Sequence, residues 1–257
     1  MVKTRFSKRL CLVAAVGLLN VYGGTAMAAA TPSTSAPAVN SLVAPSSGVS
    51  ADEGSAASDA LIHGQPLVYW VKRLWRVIVA TPASRNPEVQ LGENCVLTPT
   101  DSPVSFVYGF QAAPSERTCH VPKGKTVVFP VWGLLNDYPC PDPSFQPTGQ
   151  QTLETFLRLG ARQFDDATKN LVVNVDGQRV DYTQHRLTTP FFSFKGDASL
   201  QQSFDSCITG SWQTAVADGW YLVYPSWQTG QQHTISVTAI APSGAHDSLI
   251  YHLVIDP

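Results

Sequence analysis

The chain has 257 residues and a formal net charge of −2, with 14% charged and 44% hydrophobic residues. Nineteen prolines and eighteen glycines favour strands and turns over long helices, because Pro is tolerated in turns and at sheet edges but not in helix interiors. Beyond the first nine residues there is no basic run, which argues against nucleic acid or an anionic membrane as the partner.

The N-terminus reads as an export signal. Lys3, Arg5, Lys8 and Arg9 form a basic region, Leu10 to Leu19 is apolar apart from Gly17, and Ala26 and Ala28 place small residues where a signal peptidase reads them. The apolar run spans ten residues, whereas crossing a bilayer takes about 20. Cleavage after Ala28 is therefore favoured over retention as an anchor, and the mature chain is expected to be secreted or periplasmic, with no transmembrane segment. Removing residues 1–28 lowers Lys+Arg from 17 to 13 and leaves Asp+Glu at 19, so the mature net charge is −6. Residues 29–60 are rich in Ala, Ser and Pro, lack aromatics, and cannot bury enough apolar surface to offset the entropy of ordering; a disordered linker is expected.

Residues 61–257 are expected to form a single disulfide-stapled domain. The pattern predicts a first helix over about 66–79. Leu67, Trp70, Val71, Leu74, Val77 and Ile78 line one side, Lys72, Arg73 and Arg76 the other, and Thr81-Pro82 follow. After the mature cysteines Cys95 and Cys119 comes a strand over Thr126–Phe129, stopped by Pro130. A second helix is predicted over about 150–167, opened by a capping-box-like Thr148-Gly-Gln-Gln151, with Leu153, Phe156, Leu157, Gly160, Phe164 and Ala167 inside. Leu171–Val175 and Gln178–Tyr182 flank Asp176-Gly177, whose residues suit the positive φ angles of a type I′ turn. Trp220–Tyr224 is a further strand, and Thr234–Ile240 with Leu249–Ile255 form a closing hairpin around Pro242-Ser-Gly-Ala245. The fold class that follows is mainly β, a β-sandwich or jelly-roll-like domain with two peripheral helices.

Cys95, Cys119, Cys140 and Cys207 are the cysteines left after export, an even number suited to an oxidising compartment. Of their three possible pairings, Cys95–Cys119 with Cys140–Cys207 is favoured, because the first two flank one compact segment. Spacings of 24, 21 and 67 fit no zinc module, so no metal and no cofactor is expected.

Several blocks together resemble a family of uncharacterised secreted bacterial proteins. They are Trp70…Trp75, Asn86-Pro87, Gly92, Cys95, Pro103-Val-Ser-Phe106, Gly109, Arg117-Thr-Cys119, Val121-Pro122, Gly124-Lys125 and Phe129-Pro130, followed by Ala217-Asp-Gly-Trp220 and Gly230 with His233-Thr-Ile235. The family pattern runs W…NP…G..C…PVWF..G…R.C.VP.GK…FP, with ADG[YW] and G.HTI near the C-terminus. Ser105 departs from it where the family often has Trp, as does the apolar Val131-Trp-Gly-Leu after Pro130. The resemblance implies export and a shared architecture, and it carries no catalytic role. Physically, the blocks read as scaffolding. Arg117 beside Cys119 can anchor a buried carboxylate such as Asp137 or Asp218, with anion recognition as the alternative.

No nucleophile elbow, metalloprotease, P-loop or dinucleotide motif is present, so any catalysis needs residues from distant segments. On the closing hairpin, His233 and His252 are expected on opposite faces. Asp165-Asp166 cannot face one another on a helix and are expected in solvent, whereas Asp137 and Asp142 can flank a cleft near Cys140. Trp212, Trp220 and Trp227 lie within sixteen residues, and a platform for a sugar ring or a partner protein is one reading, core packing the other. The leading expectation is a non-enzymatic exported β-sandwich that binds a ligand or serves a structural role, with Trp212, Trp220, Trp227 and Arg117 as candidate ligand contacts and carbohydrate or another surface protein as candidate partner. The alternative is an extracytoplasmic hydrolase or metal-dependent enzyme built from dispersed Asp, His and Arg residues.

Overall fold

Apolar residues alternating along strands build two sheets that face each other. A computed structural model describes residues 61–90, 95–109, 115–227 and 230–257. The expected signal peptide and linker lie outside these residues. A small hairpin of β1 (Leu61–Ile62) and β2 (Gln65–Pro66) leads into helix α1 (Leu67–Ala80). Then come β3 (Val96–Leu97), β4 (Val104–Val107), β5 (Ser115–Val121), β6 (Thr126–Tyr138), helix α2 (Leu153–Ala167), β7 (Lys169–Val175) and β8 (Gln178–Arg179). The chain ends with β9 (Arg186–Thr188), β10 (Phe192–Lys195), β11 (Trp212–Tyr224), β12 (Gln232–Ile240) and β13 (His246–Ile255). One sheet has the order β10-β11-β6-β4-β3, with β9 also paired to β11, and the other has the order β5-β13-β12-β7-β8. The fold is mainly β, consistent with a β-sandwich carrying two helices.

Two cores follow from this layering. Val127, Phe129, Leu222 and Tyr224 of the first sheet pack on Val173, Val237, Tyr251 and Leu253 of the second. The opposite face of the first sheet, with Ala215, Ala217, Tyr221 and Val223, is covered by Trp70, Leu74, Trp75 and Ile78 of α1. Strand β11 is thus apolar on both faces over most of its length, as a strand covered on both sides must be. Trp75 Nε1 donates to Tyr221 Oη at 3.0 Å, satisfying both polar ends inside the core.

The helices fall close to the expected spans. Pro66 is the N-cap of α1 and not its first helical residue. Asn86 turns back on the other end, with Nδ2 donating to Ile78 O at 2.7 Å and Thr81 O at 3.1 Å. Helix α2 begins later than the Thr148 signal implies. Thr152 is the N-cap, its Oγ1 accepting from Thr155 N at 3.1 Å. Its buried positions are Leu157, Ala161 and Asp165, and Ala167 is exposed.

The expected stop at Pro130 does not occur. Strand β6 runs on to Tyr138 because β11 pairs Tyr221 with Pro130 and Trp220 with Trp132, leaving Val131 as the extra residue of a bulge. A bulge tolerates a residue with no N–H to donate. Pairing with β4 covers only Thr126–Val128, so no ladder partner is lost on that side. The Asp176-Gly177 turn has φ of 52° and 78°, as a type I′ hairpin requires. Strand β8 ends at Arg179, sooner than the expected Tyr182. Both disulfides, Cys95–Cys119 and Cys140–Cys207, have the favoured pairing.

Candidate functional site

The four expected ligand contacts do not share a surface. Trp212 opens β11 and is 71% exposed. Trp220 is half-buried, with the Arg186 guanidinium 5.0 Å from its ring and Tyr182 edge-on at 5.7 Å. Trp227 lies beyond the other end of the strand, stacked on Tyr224 at 5.2 Å and on His233 at 4.2 Å. At ~3.3 Å per residue, the two ends of β11 are roughly 40 Å apart, so Trp212 and Trp227 cannot contact one small ligand. Arg117 sits in the other sheet, 3% exposed, its Nη1 donating to Pro87 O at 2.8 Å. Asp137 and Asp218, the carboxylates that Arg117 was expected to anchor, are held elsewhere. Gly109 and Gly219 stand where the packing leaves no room for a side chain. A Cβ on Gly109 would come within 2.4 Å of Arg117 Nη1, and one on Gly219 within 2.5 Å of Trp132 O, where β6 and β11 approach closely.

That close approach presents Asp218 to a buried charged cluster which the sequence reading missed. Asp218 is fully buried and accepts from Arg186 Nε at 2.9 Å and Nη2 at 2.6 Å, and from Thr188 Oγ1. Arg186, on β9, is 25% exposed and also pairs with the exposed Asp166. Asp165 was expected in solvent. It is 1% exposed and turned inward from α2, and neither of its oxygens meets a donor. It lies against Asp218, and two carboxylates can face one another only if one is protonated. Burial first, then the hydrogen bond to Asp218 and the charge of Asp218, push Asp165 up to about 9, opposed by Arg186. At neutral pH Asp165 is therefore an acid donating its proton to Asp218, and the Arg186 cation balances the remaining charge. The signal for Asp165 was its i, i+4, i+8 spacing from Leu157 and Ala161 on one helix stripe. For Arg186 there was none in its neighbours.

A second buried carboxylate lies near the Cys140–Cys207 disulfide. Asp137 accepts from Gln213 Nε2, which also donates to Cys207 O at 2.8 Å and Pro139 O at 3.0 Å. Burial and the nearby Asp205 raise Asp137 well above the usual carboxylate range, and Gln213 offsets part of this. Asp205 is itself raised by burial while accepting from Cys207 N at 2.8 Å. Asp142 does not join them. It is half-exposed, in a turn where the Ser144 hydroxyl and N–H hold its carboxyl below the usual range. Asp137 and Asp142 therefore do not form the two walls of a cleft.

Three histidines each face a different carboxylate. His233 Nδ1 lies 2.8 Å from Asp176, His252 Nε2 2.7 Å from Glu116, and His120 Nδ1 2.9 Å from Asp256. Ile240 pairs with His246 and His233 with Leu253, a register that points His233 and His252 to opposite faces, as expected. Among the described residues no three His, Cys, Asp or Glu side chains converge on a metal position.

The exposed start of β11 is where aromatic and cationic groups meet solvent. Trp212 pairs directly across the sheet edge with Lys195 of β10. With Arg76, Ala80, Ser193 and Phe194 these residues line an open depression of about 420 Å³. Arg76 Nε donates to Ser193 O at 3.0 Å, and the guanidinium lies 5.5 Å from the Phe192 ring, so the cation is held at the edge strand. A neighbouring depression of about 340 Å³ shares Ala80 and adds Arg85. No protein-family model, curated protein or solved structure matches this chain.

Proposed function

We propose that this chain acts outside the cytoplasm as a non-enzymatic binding module, with the Trp212 depression as its contact surface. The observation that carries this reading is Trp212 itself: a large aromatic ring, 71% exposed, placed beside two cations at a sheet edge. A ring of this size usually buries most of its area, and one left in water beside polar groups suits stacking on a ligand. Extracytoplasmic placement is supported by the two disulfides, which persist in oxidising compartments, and by the export-signal pattern of the first 28 residues. Among the described residues no helix is long and apolar enough to cross a membrane. The hydrolase alternative would draw on the proton shared by Asp165 and Asp218. Those carboxyls are 1% and 0% exposed and already engaged with each other and with Arg186, an arrangement that suits a structural role better than attack on a substrate.

The test is titration of the purified chain with soluble polysaccharides, read by tryptophan fluorescence. Trp212→Ala should weaken binding at least tenfold, about 1.4 kcal/mol, with an unchanged melting temperature. Binding that survives Trp212→Ala at full strength would remove the depression as the contact surface.

A further inference from the structure

Resting on that reading, we propose that the Trp212 depression takes a negatively charged sugar residue of an acidic polysaccharide, its ring on the indole and its anionic group between Lys195 and Arg76. Three observations carry the assignment. First, Lys195 is the direct cross-strand partner of Trp212, so their Cβ atoms lie ~4.5–5.5 Å apart and the ammonium can reach the rim of whatever stacks on the indole. A carboxylate or sulfate borne on a sugar ring projects from the ring edge, within reach of a lysine side chain that starts beside the indole. Second, Arg76 spends only its Nε, on Ser193 O. Among the described residues its two terminal nitrogens have no hydrogen-bond partner, and Arg76 is one of the residues that line the same depression. A guanidinium fork with both ends free suits a planar anion. Third, the local charge runs against the rest of the molecule. Helix α1 carries Lys72, Arg73 and Arg76 with no acid, and the neighbouring depression adds Arg85, in a chain whose acids outnumber its bases by 19 to 17. The nearest acid in sequence to Lys195, Asp197, is engaged by Ser199, whose N–H donates at 2.9 Å and whose hydroxyl donates at 2.6 Å.

A sugar fits better than an added peptide strand. Strand β10 is the sheet edge, and Arg76 already occupies its Ser193 carbonyl, which places a charged side chain where strand addition would need open backbone. The depression, about 420 Å³ and open, lies in the size range of small-ligand sites, roughly 300–1,000 Å³.

Polygalacturonate and its fully methyl-esterified form test this, because they share one sugar backbone and differ in charge. The full chain should bind polygalacturonate at least tenfold more tightly than the ester at low salt, and the difference should shrink as salt is raised. The Lys195→Gln/Arg76→Gln double variant should bind both forms alike, and Trp212→Ala should weaken both. All three positions are exposed, so melting temperatures should match the parent and confirm folding. Equal, Trp212-dependent binding of the two forms, or Trp212-dependent binding of neutral glucans alone, would overturn the anionic assignment and leave the binding-module reading standing. Equally tight binding of poly-glutamate or single-stranded DNA through Lys195 and Arg76 would overturn the sugar assignment. Absence of any Trp212-dependent polysaccharide binding would overturn both.

Discussion

Strand β11 carries two charged and aromatic groupings six residues apart, and their surroundings make them different objects. At Trp212 the strand is in water: the ring is 71% exposed, and Lys195 and Arg76 keep charge free to meet a ligand. At Asp218, roughly 20 Å further on at ~3.3 Å per residue, the strand is covered. The carboxylate is fully buried, and Arg186, Thr188 and a protonated Asp165 consume its hydrogen-bonding capacity. Asp218 and Lys195 are both charges on the same sheet. Burial turns the first into an internal tie between β9, β11 and α2 and leaves the second available outside.

That contrast predicts that the largest effect on stability comes from leaving Asp218 without its cation. Arg186→Met should cost about 3–5 kcal/mol, the usual penalty for stranding one member of a buried ion pair. Urea melts would show it as a lower midpoint at a similar slope. An unchanged midpoint would mean that Arg186 does not hold α2 and β11 together. Close behind comes the Cys140–Cys207 bridge, which spans 67 residues including α2 and the Asp176-Gly177 hairpin. Chain entropy puts its removal at about 4 kcal/mol. Cys140→Ser should lower the melting temperature and leave a titratable thiol on Cys207, and an unaltered melt would show that the bridge adds little to this fold.

Asp165 sharpens the comparison with a smaller effect of opposite sign. Its carboxyl is pushed up to about 9 in the folded chain, against about 3.9 in an unfolded one. The folded state thus binds a proton that the unfolded state releases. The stability linked to Asp165 is complete below about pH 3.9 and is lost progressively as pH rises towards about 9. Asp165→Asn keeps a neutral donor to Asp218 without that loss. At pH 7–8 it should be more stable than the parent and should flatten the decline between pH 5 and 8. A variant less stable than its parent at pH 8 would show that Asp165 is not held protonated.

How much of this was legible beforehand depended on how local the cause was. Both helices, the Asp176-Gly177 turn and the closing hairpin were readable, because capping, side-chain period and turn chemistry act within a few residues. Pro130 misled because its tolerance comes from a bulge opposite Tyr221, ninety-one residues away. Asp165 misled because its i, i+4 alignment with Leu157 and Ala161 says that it is buried, while its charge says the reverse. Only Arg186 and Asp218, thirty-two residues apart, resolve that conflict. The candidate site was half legible. Trp212 could be named, but its companions could not. The fold separates it from Trp220, Trp227 and Arg117 and sets it against Lys195 and Arg76, from another strand and a helix.

The most direct test of the account is the affinity for polygalacturonate of Trp212→Ala and of Asp165→Asn, each against the parent at pH 7. A contact surface at the exposed end of β11 and a purely structural cluster at its covered end predict that Trp212→Ala loses at least tenfold in affinity while Asp165→Asn retains it. A full-strength Trp212→Ala, or a loss of binding in Asp165→Asn with the fold intact, would contradict that division of labour.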